Sequence, residues 1–114
     1  MITEIEGTIG NAGFYADCIP VMVILIAKKY ANVIPSENGK RVDITIRIGN
    51  KLFRAGIRTT EKMDRLKICP NLLDERGEPV RLSDALSEIG VRVKDRVLMR
   101  LEDHSVEIFK RQPR

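Results

Sequence analysis

The side chains able to do covalent chemistry in this sequence are few, and their spacing does not assemble a catalytic group. The single histidine, His104, stands beside Asp103 between two alternating apolar runs, so it reads as a hairpin-turn residue rather than the base that a Ser or Cys nucleophile needs. Cys18 and Cys69 have neither a CxxC spacing nor neighbouring histidines, and read as two buried free thiols rather than zinc ligands. Asp17, Asp43, Glu61, Asp64 and the acidic run around Asp74 show no spacing that singles out a pair for glycoside or metal-dependent hydrolysis. Gly7, Gly10 and Gly13 recur every three residues but match neither GxGxxG nor a P-loop, so no phosphate cradle is indicated. Glu107 to Lys110 has one residue too many for a nuclease-type Glu-x-Lys and falls in an expected strand. The chain is therefore expected to bind rather than catalyse, with no metal and no cofactor.

Positive charge, by contrast, is concentrated. The 114 residues carry a net charge of +4, with a pI near 9.3. Met1 to Gly39 holds 2 basic and 4 acidic residues, whereas Lys40 to Lys67 holds 9 and 3. Ile68 to Gly90 reverses to 2 and 5, and Val91 to Arg114 returns to 7 and 4. That asymmetry points to a basic face and a polyanionic partner, against a mixed solvated surface as the alternative.

Length and an apolar share of 43% suit one globular domain with its own core. The longest apolar stretch, Cys18 to Ala27, spans ten residues and contains Pro20, well short of the roughly 20 needed to cross a bilayer. The acidic N-terminus does not resemble an export signal. A reducing cytoplasm suits the free thiols.

The elements that would position the basic residues are mostly strands. Val42 to Ile48 alternates apolar and polar, Gly49-Asn50 forms a tight turn, and Lys51 to Ile57 resumes with Phe53, Ala55 and Ile57 on one face and Arg54 on the other, followed by Arg58. Val97, Met99 and Leu101 alternate with Arg96 and Arg100, Asp103-His104 turns the chain, and Val106 and Ile108 return. Glu4 to Thr8 and Leu66 to Cys69 are further strands, with loops at Pro70 and Asp74 to Gly77. Leu82 to Gly90 reads as a short helix with Ser83 as N-cap and Gly90 as terminator. Pro20 to Tyr30 fits a buried strand or a helix, and Pro20 in the first turn with Lys28-Lys29 at the end favours the helix. The sum is a mainly β chain with two short helices, folded as an open, seven-stranded β-barrel.

The order of segments also matters: Cys18-Ile-Pro20, an apolar run ending Ala27-Lys28-Lys29-Tyr30, then Lys51-Leu-Phe-Arg-Ala-Gly-Ile-Arg58, Gly90-Val-Arg-Val-Lys-Asp-Arg-Val97 and Val106-Glu-Ile-Phe109. From about Glu4 to Phe109 this resembles the B-three DNA-binding pseudobarrel family of plant transcription factors and of the recognition domains of certain bacterial restriction endonucleases. The chain lacks the Trp that plant members usually place before the helix, offering Ile68-Cys69-Pro70 there, and has Lys94 where Gly is common. Arg54-Ala-Gly-Ile-Arg58-Thr59-Thr60 is closer to the restriction type.

The resemblance implies a double-stranded DNA partner, gripped in the major groove by two arms that flank a concave sheet. Carried over, the first arm is the loop from Thr8 to Asp17, with Asn11 facing adenine and Phe14 or Tyr15 facing a thymine methyl, sugar or phosphate. The second is Arg58 to Lys67, where charge agrees: Arg58, Lys62, Arg65 and Lys67 stand against Glu61 and Asp64. Arg58 or Arg65 suits guanine, while Thr59, Thr60 and Lys62 suit the backbone. Arg47 and Arg54 lie on wet strand faces and flank the phosphates or solvate the sheet. A nuclease, if one is attached, would occupy another domain or chain, and the isolated domain is expected to be monomeric. Alternatives are a swapped-hairpin dimeric regulator of transcription, an RNA-binding barrel, and a basic protein-interaction domain.

Overall fold

The computed structural model describes residues 2–60 and 62–111. Nine strands run in chain order: β1 (Thr3–Phe14), β2 (Pro20–Ala27), β3 (Arg41–Ile48), β4 (Lys51–Arg58), β5 (Arg65–Ile68), β6 (Asn71–Leu73), β7 (Pro79–Arg81), β8 (Arg96–Glu102) and β9 (Ser105–Lys110), with one helix, α1 (Leu82–Glu88), between β7 and β8. Seven strands follow one another as β3-β9-β8-β1-β2-β5-β4, and β4 pairs back onto β3 from Ile48↔Lys51 to Arg41↔Arg58. The barrel is thus closed rather than open. β3 and β9 are parallel and the other barrel pairs antiparallel. Closure satisfies the barrel's strand edges inside one chain.

Alternation explains the interior. Ile5 and Ile9 of β1, Ile44, Ile46 and Ile48 of β3, Phe53, Ala55 and Ile57 of β4, Leu66 and Ile68 of β5, and Val97, Met99 and Leu101 of β8 are buried together as one core. Successive strand residues point to opposite sides, so the polar set between them lies outside.

Pro20–Ala27 departs from the helical expectation and is strand β2, followed by a single 3-10 turn over Lys28–Tyr30. The continuous apolar run reflects burial of both faces. Met22, Ile24 and Ile26 face the core, while Val23 is also buried and Leu25 half-buried. Gly10, opposite Val23, makes the outer packing possible: a Cβ there would lie 2.8 Å from Leu25 Cδ1. Among the described residues there are accordingly one α-helix and one 3-10 turn, not two α-helices.

Helix α1 contributes Leu82, Ala85 and Leu86 to the core. Its N-cap falls two residues earlier than expected, at Arg81, and Ser83 is buried inside its first turn. The helix ends as anticipated at Gly90, whose φ is 78°. The acidic stretch from Asp74 is the turn of a small hairpin formed by β6 and β7, which joins the barrel through Arg54↔Leu73. Cys18 is exposed rather than buried, and Cys69 is half-buried.

Candidate nucleic-acid interface

Two features project from opposite ends of β2. The β1–β2 hairpin precedes Pro20, and the β4–β5 loop meets the other end, where Ala27 pairs with Arg65. The eight residues of β2 separate them by about 26 Å. These are the two regions expected as arms.

Between them the register aligns a row of outward side chains across six strands. Arg96 of β8 pairs with Thr8 of β1, Thr8 with Leu25 of β2, Leu25 with Lys67 of β5, Lys67 with Arg58 of β4, and Arg58 with Arg41 of β3. Four of the six are cations. Arg65 sits one pleat further along β5, opposite Ala27.

Pairing then separates the working charges from the spent ones. On β8 and beyond, Arg96 lies 3.9 Å from Glu6, Arg100 lies 3.3 Å from Glu4, and Arg111 lies 2.7 Å from Glu6. Arg41 is 3.6 Å from Asp43. Among the described residues, no carboxylate comes within 4.0 Å of the side-chain nitrogens of Arg58, Lys62, Arg65 or Lys67. Glu61, expected to offset them, lies outside the described residues. Arg96, Arg100 and Arg111 are thus paired with Glu4 and Glu6 of the acidic amino terminus, whereas Arg58, Lys62, Arg65 and Lys67 form a cluster of cations without such a partner on β4, β5 and the loop joining them.

That loop is fastened from beneath. Lys28 Nζ donates to the carbonyls of Thr60 and Met63, both at 2.6 Å. The Met63 N–H donates to the Thr60 carbonyl at 3.1 Å, and the Gly39 N–H donates to the Thr59 carbonyl at 2.9 Å. Thr59 is 3% exposed with its hydroxyl 3.5 Å from the Arg65 carbonyl, so it belongs to the base of the loop, whereas Thr60 and Lys62 are exposed. Lys28 was not among the expected site residues. Its charge at the end of an apolar strand was the available signal, but its target is two backbone carbonyls over thirty residues away.

The first arm is a hairpin rather than a loop, because β1 continues through Phe14. Between the pairs Asn11↔Met22 and Phe14↔Pro20, β1 advances three residues and β2 two, which is a bulge of one residue. Gly13 supplies the φ of 126° that the bulge needs. Asn11 Oδ1 accepts from the Gly13 N–H at 2.8 Å, so one half of its amide is committed to the turn. Phe14 is 67% exposed. Tyr15 has the opposite placement: the Arg81 guanidinium stacks 3.9 Å from its ring centroid, and its hydroxyl is buried. Arg81 Nη1 also donates to Asp17 Oδ2 at 2.8 Å. This bond holds the Asp17 carboxyl below the ordinary carboxylate range, assisted by the Ile19 N–H, and pushes Arg81 up.

The remaining expected residues lie apart. Arg54 is four residues from Arg58 along β4, beside a shallow groove lined by Thr45, Leu52, Leu73 and the Asp74–Gly77 turn. Arg47 is exposed on β3 over a neighbouring groove. His104 is exposed in the β8–β9 turn. Among the described residues no group of three or more His, Cys, Asp or Glu side chains is placed to hold a metal ion, and no helix is long and apolar enough to cross a membrane. No family model matches the chain, and neither the curated proteins nor the solved structures give a significant match to it.

Proposed function

We propose that the chain is a sequence-specific binder of double-stranded DNA that approaches the major groove with the sheet face between its two projecting arms. The observation that carries this reading is the adjacent pair Lys67 and Arg58 within the cross-strand row, cations with no described acidic partner, next to Arg65 and Lys62. Unpaired cations held on paired strands are preorganised for a polyanion, and releasing counterions from phosphate supplies the affinity. Arginine adds sequence information, because its two N–H donors match O6 and N7 of guanine. Arg58 and Arg65 take that role. Lys62, Lys67 and Thr60 position the backbone.

On this reading the domain binds and does not catalyse. Its resemblance to restriction-type recognition domains supports a place as the target-recognition module of a larger nuclease system, with the cleaving centre in another domain or chain and no cofactor needed for binding.

The test is selection from a randomised duplex pool at two salt concentrations, repeated with Arg58→Ala and Arg65→Ala. One enriched motif is expected, with affinity lower by about 1 to 3 kcal/mol in either variant. Absence of enrichment, or binding indifferent to both arginines and to salt, replaces this reading with the basic protein-interaction domain.

A further inference from the structure

The β1–β2 hairpin is chemically unlike a phosphate-binding arm. From residue 2 through Ala27 the chain contains no Lys or Arg. The one acidic residue of the hairpin, Asp17, is neutralised by Arg81. The large apolar side chains it offers to its surroundings are Phe14, 67% exposed, and Ile19 at 37%. An exposed phenyl ring is a cost in water, and here the placement is specified: a one-residue bulge and a positive φ at Gly13 set Phe14 opposite Pro20. Bulges commonly serve to re-aim a side chain. The neighbouring groups are committed elsewhere, Tyr15 beneath Arg81 and Asn11 Oδ1 to the Gly13 N–H.

Resting on the duplex-binding reading above, we propose that Phe14 is a specificity-determining residue that recognises the C5-methyl group of a pyrimidine in the major groove. The base edges there are hydrogen-bond donors and acceptors with one apolar exception, the C5-methyl group of thymine, which is also the group that Phe can contact favourably. Cytosine methylated at C5 presents the same methyl. An uncharged arm ending in a phenyl ring gains nothing from phosphate, so a methyl is the feature of the groove it can discriminate. The two arms then read different chemistry at the two ends of one site, a pyrimidine methyl at the hairpin and guanine at the β4–β5 loop.

The experiment uses the motif enriched in the pool selection, synthesised with each thymine replaced singly by deoxyuridine, and separately with each cytosine replaced by 5-methylcytosine. Binding is measured for the unsubstituted protein, Phe14→Ala, Phe14→Leu and Arg58→Ala, with melting temperatures to establish that each variant is folded. If the contacted base is thymine, one deoxyuridine position weakens binding about fourfold. If it is methylated cytosine, one 5-methylcytosine position strengthens binding by a similar factor. In either case the effect disappears in Phe14→Ala, is partly kept in Phe14→Leu and persists in Arg58→Ala, as pairwise coupling requires. Indifference to every methyl overturns the inference, as does a methyl effect of equal size in Phe14→Ala. Affinity lost in Phe14→Ala without any methyl dependence also overturns it, and indicates a ring wedged between base steps. A pool that enriches no motif fails earlier, before any modified base is tried, and removes the duplex reading together with this one.

Discussion

The β1–β2 hairpin and the β4–β5 loop lie at opposite ends of the same strand, and each is tied to the body by one cation from elsewhere in the chain. Arg81 holds the hairpin through the Tyr15 ring and the Asp17 carboxylate. Lys28 holds the loop through the Thr60 and Met63 carbonyls. Their surfaces differ completely: the loop and its flanking strands present Arg58, Lys62, Arg65 and Lys67, whereas the hairpin presents Phe14 and Ile19 with no cation of its own. Total charge therefore says little about which parts of a basic protein contact a polyanion. What matters is which cations remain after the internal pairs are formed, and here the internal pairs take Arg96 and Arg100 of β8 while leaving Arg58 of β4 and Arg65 and Lys67 of β5.

The contrast predicts different responses to salt, and this is the largest expected effect. Replacing Arg58 and Lys67 together with Ala should cost about 2 to 5 kcal/mol in affinity for the selected site and lower the salt slope by about 2. Phe14→Ala should leave the slope unchanged. Titrations at four or more salt concentrations check this, and equal slopes for the two variants would erase the distinction between the arms.

A smaller effect tests the tethers. Lys28→Met keeps the side-chain length but removes the donor to two carbonyls, one of them part-buried. A charge-assisted bond of this kind contributes about 1 to 2 kcal/mol after discounting for exposure. The variant should melt at a lower temperature, exchange the amide of Met63 faster, and bind the selected duplex more weakly without a change in salt slope. Unchanged exchange at Met63 would show that the loop holds its shape without Lys28.

Much of the barrel was legible because alternation survives wherever one face is wet: β3, β4, β8 and β9 were readable from Val42, Phe53, Val97 and Val106 and their neighbours. β2 was not, since burial on both sides erases the period that distinguishes strand from helix. β6 and β7 were too short for any period, three residues each, and only their turn left a signal. Barrel closure depends on β3, whose hairpin with β4 was readable, pairing also with β9, a non-local parallel match that no local pattern records. Within the site, the charge of Arg58 to Lys67 was readable, but the burial of Thr59 was not. Nor was the division between an exposed Phe14 and a covered Tyr15, because the partner that draws Tyr15 inward, Arg81, is contributed by β7, sixty-six residues later.

The hairpin tether yields the smallest effect and the most specific one. Asp17 is ionised below the ordinary carboxylate range in the folded chain because the Arg81 guanidinium donates to it, while in the unfolded chain it returns to that range. A carboxyl whose folded value is depressed contributes stability that is fully present above its unfolded value and is lost as pH falls through its folded value. Arg81 is raised by the same bond and stays charged throughout, so the acid is the group that releases the pair. The hairpin should therefore remain tethered from neutral pH down to the ordinary carboxylate range and loosen only below it. Following the Tyr15 ring resonances with pH should show a single step at that low end, and Asp17→Asn should abolish the step while leaving Lys28-dependent exchange at Met63 as it was. A step within the ordinary carboxylate range would mean that Asp17 gains nothing from Arg81, and that stacking on Tyr15 alone holds the arm.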